Sequence, residues 1–413
     1  MRRVITLVTI LAASACGDDG ASPVDAATPD SPAIDSPQPQ CENQGAIGQF
    51  IRRAGNPRVL PGTTFLDGKL DIHIADPDVR WDAATSTWEA YWAAGHATSY
   101  TAADLVPVIR RATSVDRMTW TIDNAPALSA PSDTSAWDHG NTETPTVIYN
   151  PNAPADRRYL MMYSGANGTF PGYSFADYAI GAAFSADGKT FTRVPASESP
   201  HGKAGLVLEA SQIHPVGSDG IVADPELVLV GDTYHLFFSS FTCHGASCAT
   251  IDSYGVSHAT STDGVHWTIV AAPIRSLLRS SALTSGGAQP SVIYDAVHCK
   301  WEMWLKSDAD ADVTNQPVAF NNMAGVYKAE STDGLSWNVN FAFSRDLAWM
   351  QAEPGEGLGL LTGVDVAANG NGRLMLFVGF DDQSVPNGFV LPLRAGGTTA
   401  GVFALNVATR DLP

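Results

Sequence analysis

The sequence predicts an all-β chain, a five-bladed β-propeller with about four antiparallel strands per blade, and two repeats of different kinds predict it. The first is a strand–turn–strand phrase whose clearest copy is Ala223–Phe241, ADPELVLVGDTYHLFFSSF. It opens on Asp224-Pro225, runs through the wholly apolar Leu227–Val230, turns at Gly231-Asp232 and returns through an aromatic-rich run. An apolar run without a polar face reads as a strand covered on both sides. Gly-Asp between two β-rich runs reads as a tight hairpin. The phrase recurs at 75–92, 143–163, 288–305 and 362–377.

The second repeat sets the period. Ser185–Phe191, Ser261–Trp267 and Ser331–Trp337 are copies of S-x-D-G-x-x-aromatic, and Thr113–Trp120 is a degenerate fourth. Their starts at 185, 261 and 331 are 76 and 70 residues apart. Five units of that size fill about 365 residues, close to the whole span from Phe50 to Pro413. One blade cannot bury both of its faces, but a closed ring of blades can. The expectation is therefore one domain over 45–413 and not the two that 413 residues would allow.

The chain starts with a short export leader. Met1–Arg3 is basic and Val4–Ala13 is apolar, a stretch of 10 residues that is too short to span a bilayer. It ends in Ala13-Ser14-Ala15-Cys16, small residues before a cysteine that resemble a bacterial lipobox. The resemblance implies a signal segment over 1–16 and a lipid on Cys16, hence a membrane-anchored protein of the bacterial cell envelope. An ordinary secretory leader cut near Ala15 is the alternative. Residues 17–44 then read as an extended tether. Its part up to Gln40 is rich in Asp, Pro, Ser and Ala, with Val24 and Ile34 its only sizeable hydrophobes, too few to offset the entropy of ordering.

Composition narrows the partners. Charged residues are only 16%, and 37 Gly with 26 Pro suit many tight turns between short strands. The formal net charge of −19 would repel phosphates, so nucleic acid is not expected as a partner. A monomer is expected. With Cys16 taken by lipid, four cysteines remain, and an exported location permits disulfides. Cys243 and Cys248 flank a short loop and would pair, which leaves Cys41 with Cys299; a metal at Cys243, His244 and Cys248 would lack further ligands nearby.

The inner strand of each propeller blade lines a central funnel. Aligning the five phrases puts Asp76, Glu143, Asp224, Gln289 and Asp365 at the funnel mouth. Carboxyls crowded into one pocket raise one another's pKa, so one can stay protonated as a general acid while another stays ionised as a base. That pair is what cleavage of a glycosidic bond needs. The plainer reading is that acid-Pro pairs punctuate strand starts and cap turns. Asp78 and Glu226, two residues further on, are either structural acids of that kind or point into the pocket themselves. Trp137 and His139, just before Glu143, would stack on a sugar ring and bond a hydroxyl, or else Trp137 packs under a loop.

These motifs make the resemblance specific. Ile74–Pro77, Glu143–Pro145, Ala223–Pro225 and the S-x-D-G-x-x-W turns resemble the five-bladed propeller superfamily of glycoside hydrolase families 43 and 32, over roughly residues 50–413. The resemblance implies hydrolysis of a furanoside or xyloside, in family 43 with inversion. Asp76 would be the general base, Glu143 the general acid and Asp224 the carboxylate that tunes the acid. The family runs Asp, Asp, Glu over its first three blades, whereas this chain runs Asp, Glu, Asp. Either two roles are exchanged around the ring, or Glu226 is the acid, or the protein binds carbohydrate without cleaving it. The Trp-Met-Asn element of family 32 is missing before Asp76, which disfavours a fructosidase.

No cofactor is expected. Asp308, Asp310 and Asp312 imitate the opening of a calcium loop, but Val313 and Ala319 stand where an EF-hand needs Gly and Glu, so that motif is rejected. A structural calcium elsewhere in the propeller stays open as an alternative. The sequence contains no H-E-x-x-H, G-x-S-x-G or phosphate-cradling glycine loop, which disfavours metalloprotease, serine hydrolase and nucleotide chemistry.

Overall fold

The computed structural model describes residues 50–53, 58–59, 62–99, 104–168, 178–214, 219–244, 250–280, 286–307, 325–339, 361–369, 372–381, 390–392, 398–400 and 402–410. The leader with Cys16, the tether, Cys41, Cys248 and the acidic stretch at Asp308–Asp312 lie outside these residues. The compact unit that holds the strands is Cys41–Pro413.

Five antiparallel sheets follow one another along the chain, each with its first strand innermost. Blade 1 runs from the inner strand Leu70–Asp82 through Thr87–Ala97 and Val106–Ser114 to Thr121–Ile122. The inner strands of blades 2 to 5 are Asn141–Tyr149, Asp219–Val230, Ala288–Asp295 and Leu361–Asn369. Blade 5 takes its outermost strand from the other end of the chain: Ile51–Arg52 pairs with Val402–Arg410. The first described strand thus completes the last blade and closes the ring.

Each blade interface has an apolar cluster of its own. Ile74 and Trp92 meet Leu374 and Val407 between blades 1 and 5, and Tyr91 and Ile109 meet Met161 and Tyr163 between blades 1 and 2. Leu160 and Ile180 meet Leu236 and Phe238 between blades 2 and 3, Phe237 meets Met303 and Tyr327 between 3 and 4, and Trp304 meets Met375 between 4 and 5. Burying one such side chain contributes about 1.5–3 kcal/mol, and a lone blade could cover neither face. In the third inner strand Leu227 and Val228 are buried while Leu229 and Val230 are half-buried, so the two-sided cover expected there fades toward the rim. The Gly231-Asp232 hairpin forms as read, with Val230 opposite Thr233 and Gly231 at φ 61°.

The S-x-D-G repeat is a turn that saturates itself with hydrogen bonds. Ser261 Oγ donates to Asp263 and accepts the Gly264 N–H, while Asp263 Oδ1 accepts the N–H groups of Val265 and His266. Ser185–Asp187 and Ser331–Asp333 repeat the pattern. Ser114–Asp116 does so as well, with Arg117 at φ 70° in the place of the glycine. The degenerate fourth copy is therefore the same turn, formed without the residue that adopts it most easily.

A second set of bonds links the blades near the axis. One side chain on each inner strand accepts a backbone N–H from the next blade. Asp78 accepts from Val147 at 3.2 Å, Thr146 from Leu227 at 3.1 Å and Glu226 from Val292 at 3.0 Å. Ser291 accepts from Val366 at 2.9 Å, and Asp365 from Val79 at 2.6 Å. Five positions, five bonds and one closed circuit result.

Candidate active site

The inner strands share one local break. Pairing skips residues 76–77, 144–145, 224–225 and 289–290, a bulge in each case, and the second residue skipped is always proline. Proline has no N–H to lose from the ladder, so it fits where pairing lapses. The residue before it is turned to positive φ: Asp76 48°, Thr144 47°, Asp224 51° and Gln289 52°. Such a backbone costs a non-glycine residue of order 1 kcal/mol and gathers at functional sites. In blade 5 the bulge skips 362–363 and the rim residue is Gly363.

This geometry corrects the alignment read from the sequence. The funnel mouth is Asp76, Thr144, Asp224, Gln289 and Gly363, followed by four prolines and Val364, and Glu226 and Asp365 line the same space. Glu143 stands one residue before its mouth position, and Asp365 two residues after. Asp365 belongs to a deeper ring with Asp78 and Glu226, where it accepts the N–H of Val79 and the hydroxyl of Ser291. Alignment on the prolines would have shown the first shift; blade 5 has Val364 where the others have proline, so the second had no such mark. The acids compete with the prolines for the eye because two of the four mouth residues before proline are themselves aspartates.

Three carboxyls from three blades nevertheless share one electrostatic site. Asp76 feels the charges of Glu143 and Asp224, and burial together with these like charges pushes its pKa well up. Glu143 is raised to about 7, first by burial and then by Asp224, against the pull of hydrogen bonds from Tyr178 and Asn141. The Tyr178 hydroxyl donates to Glu143 Oε1 at 2.5 Å and accepts from the Asn141 amide. Asp224 is raised to about 6 by burial, opposed by hydrogen bonds from Ser239 and Gln289 and by the charge of Lys306. Asp224 Oδ2 and Gln289 Oε1 have no hydrogen-bond partner among the described residues and are buried. Two acceptor atoms are thus left at the mouth.

The deeper carboxyls do other work. One oxygen each of Asp78, Glu226 and Asp365 lies within 4.8 Å of the others, a spacing that could suit a cation. Each already accepts a backbone N–H from the neighbouring blade, so the cluster serves ring closure. Burial raises all three pKa values, and mutual repulsion adds to Asp78 and Glu226. Glu226 combines both sequence readings, since it lines the funnel and ties blade 3 to blade 4.

Trp137 and His139 take the plainer reading. The Trp137 indole stacks on Tyr163 with centroids 5.9 Å apart and donates its N–H to the Ala204 carbonyl. His139 Nδ1 is paired with the Pro131 carbonyl at 2.7 Å. The partners of Glu143 are instead Tyr178 and Asn141, which no motif in the sequence singled out. Lys306 was missed too; it stands opposite Ala288 in blade 4 and is 6% exposed. Cys243 and Cys299 are each disulfide-bonded, and their expected partners Cys248 and Cys41 lie outside the described residues.

No protein-family model and no curated protein sequence matches the chain. Solved structures do. The BT0996 protein, solved as a complex with RGII, aligns with a TM-score of 0.56 at 14% identity, over 86% of this protein and 91% of that one. A family 117 glycoside hydrolase, Zg3597 of the marine bacterium Zobellia galactanivorans, aligns at 0.53 and 13%, over 88% and 89%. A glycosyl hydrolase from Bacteroides ovatus aligns at 0.51 and 13%, over 91% and 97%. The chain has the five-bladed fold of these glycoside hydrolases. The same fold is shared by an N-acetylgalactosamine deacetylase from F. plautii, at 0.52 and 11%, so the fold by itself does not select the reaction.

Proposed function

We propose that the protein is a glycoside hydrolase that uses Glu143 as general acid and Asp76 as general base, with Asp224 setting the proton affinity of the acid. The observation that carries this reading is the electrostatic contact among these carboxyls, from three different blades, two of which line the funnel. A carboxyl titrating near 7 is still partly protonated at neutral pH and can protonate a departing glycosidic oxygen. Asp76 ionised on the other side would take a proton from water as that water attacks the anomeric carbon. The sugar–oxygen bond breaks, the leaving alcohol keeps the proton of Glu143, and the new hydroxyl has the inverted configuration. Inversion calls for carboxyls about 6.5–9.5 Å apart. Of the alternatives left by the Asp-Glu-Asp order, an exchange of roles between blades 2 and 3 fits best, because Glu226 is engaged by the Val292 N–H.

The rest of the reading comes from the sequence. Its resemblance to family 43 favours arabinose- or xylose-containing poly- and oligosaccharides, and the leader and Cys16 favour an exported, lipid-anchored monomer. Support for carbohydrate as the ligand comes from the fold shared with glycoside hydrolases and from the open acceptors on Asp224 and Gln289, which suit sugar hydroxyls.

The test is sugar release from a panel of aryl glycosides and polysaccharides by the wild type and by Asp76→Asn. Turnover that disappears in Asp76→Asn, with inversion seen by proton NMR, supports the hydrolase. Binding of a sugar without turnover of any substrate would replace it with a non-catalytic carbohydrate-binding lipoprotein.

A further inference from the structure

Lys306 differs from the residues at the same register position in other blades. In each of blades 1 to 4 one residue of the second strand faces the residue just before the bulge. The pairs are Ala75 with Ala93, Glu143 with Ser164, Ala223 with Ser239 and Ala288 with Lys306. The two serines are structural. Ser164 Oγ accepts the N–H of Asp224 at 2.9 Å, and Ser239 Oγ accepts the N–H of Gln289 at 2.7 Å, so each holds the strained mouth residue of the next blade. An ammonium group has no acceptor and cannot take that part. The next mouth residue after Lys306 is Gly363, which adds neither a side chain nor a charge, and a Cβ there would come within 3.1 Å of Asp76 Oδ1.

A cation that is 6% exposed costs free energy unless it is paired. The charges that face Lys306 are Asp76 from blade 1 and Asp224 from blade 3. Glu143 of blade 2 feels the charge of Asp224 and in turn raises Asp76, while its own main partners are Tyr178 and Asn141. Among the described residues, the cation of the mouth therefore attends two of the three acids.

We propose that Lys306 is the positioning charge of the site: its ammonium offsets the repulsion between Asp76 and Asp224 and lets them ionise at lower pH than burial would otherwise allow. This rests on the glycosidase reading for its consequence in catalysis, but the electrostatic part stands without it. Like charges that feel one another do not all ionise together, and a buried cation facing two of them favours their ionised forms. Consistent with that role, burial lowers its own pKa to about 8 while Asp76 and Asp224 hold it up, so it is mostly charged at neutral pH and below.

The experiment compares the wild type with Lys306→Met, Lys306→Gln and Lys306→Arg in two measurements. The first is the pH profile of kcat/KM on whichever glycoside the wild type cleaves. Without the cation, Asp76 ionises at higher pH, so the acidic limb should move up by about one unit in Met and Gln, and the rate at pH 6 should fall about tenfold. Arg should stay near the wild type. The second is thermal stability between pH 5 and 8, which needs no activity. The loss in Met and Gln should grow as pH rises, because the attraction they lack exists only with ionised carboxyls. A limb that does not move, an Arg variant as impaired as Met, or a loss of stability that is the same at every pH would overturn the proposal. An inactive wild type whose variants still show the pH-dependent loss would overturn only the glycosidase reading.

Discussion

Asp365 of the last blade accepts the backbone N–H of Val79 in the first at 2.6 Å, and this contact closes the circuit of five bonds between blades. Its other carboxylate oxygen accepts the Ser291 hydroxyl at 2.6 Å. Truncation would leave two buried donors without an acceptor, each worth about 1–3 kcal/mol. Asp365→Ala should lower the unfolding free energy by about 3 kcal/mol in urea titration. Thr146→Val orphans the N–H of Leu227 and takes a hydroxyl from the buried carboxyls of Asp78 and Glu226, so it should cost about as much.

The titration of Glu143 predicts where a hydrolase of this design works. Its carboxyl loses the proton as pH passes about 7, so kcat/KM should fall above that value. Tyr178 donates its hydroxyl to the ionised form of Glu143 and so lowers the pKa. Tyr178→Phe removes that preference, and the alkaline limb should shift to higher pH. Glu143→Gln should lose about 10²–10⁴-fold on substrates with poor leaving groups, and less on activated aryl glycosides that depart without a proton.

The architecture could be read from the sequence because it repeats. Asp-Pro, Gln-Pro and S-x-D-G recur at blade spacing, and each copy reflects a local demand of the backbone: a bulge whose second residue has no N–H, and a turn that saturates its own amides. The register of the mouth was less legible. Glu143 and Asp365 lie one and two residues from the places given by their acidity, because the bulge is marked by proline and by backbone angle, not by charge. Tyr178 and Lys306 could not be found at all. They reach the site from neighbouring strands, and no short-range pattern announces a contact made across a sheet or between blades.

Acidity buried near the axis should also appear in stability. Glu143 titrates at about 7 and Asp224 and Asp365 at about 6, all above the values of an unfolded chain. The folded state then binds more protons than the unfolded state at intermediate pH. The stability these groups contribute is complete below about pH 4 and is lost as pH rises through 6 to 7. Calorimetry should find a lower Tm at pH 7.5 than at pH 5, and Asp365→Asn should flatten that dependence. A Tm that rises steadily across this range would contradict the assigned protonation.

Closure through the terminal strand makes a last prediction. Phe50 is 5% exposed and packs edge-on against Trp304 at 5.9 Å, with the Arg410 guanidinium 5.5 Å from its ring centre. After it, Ile51–Arg52 pairs with Val402–Arg410, the Arg53 N–H bonds the Val407 carbonyl at 3.1 Å, and Arg53 Nε bonds Thr409 at 2.5 Å. The strand does two jobs: it fastens the start of the described chain to the last blade, and it covers an edge that would otherwise offer a row of unpaired backbone groups. The two are separable. Phe50→Ala removes packing but leaves the ladder, so it should cost about 3–5 kcal/mol without changing the oligomeric state. Removal of the chain through Arg53 strips the ladder too, so the exposed edge at Val402–Arg410 should recruit other molecules of the protein, seen as light scattering at temperatures where Phe50→Ala stays clear. A truncated protein with an unchanged oligomeric state and an unchanged Tm would show that the ring is held by the bonds between blades alone.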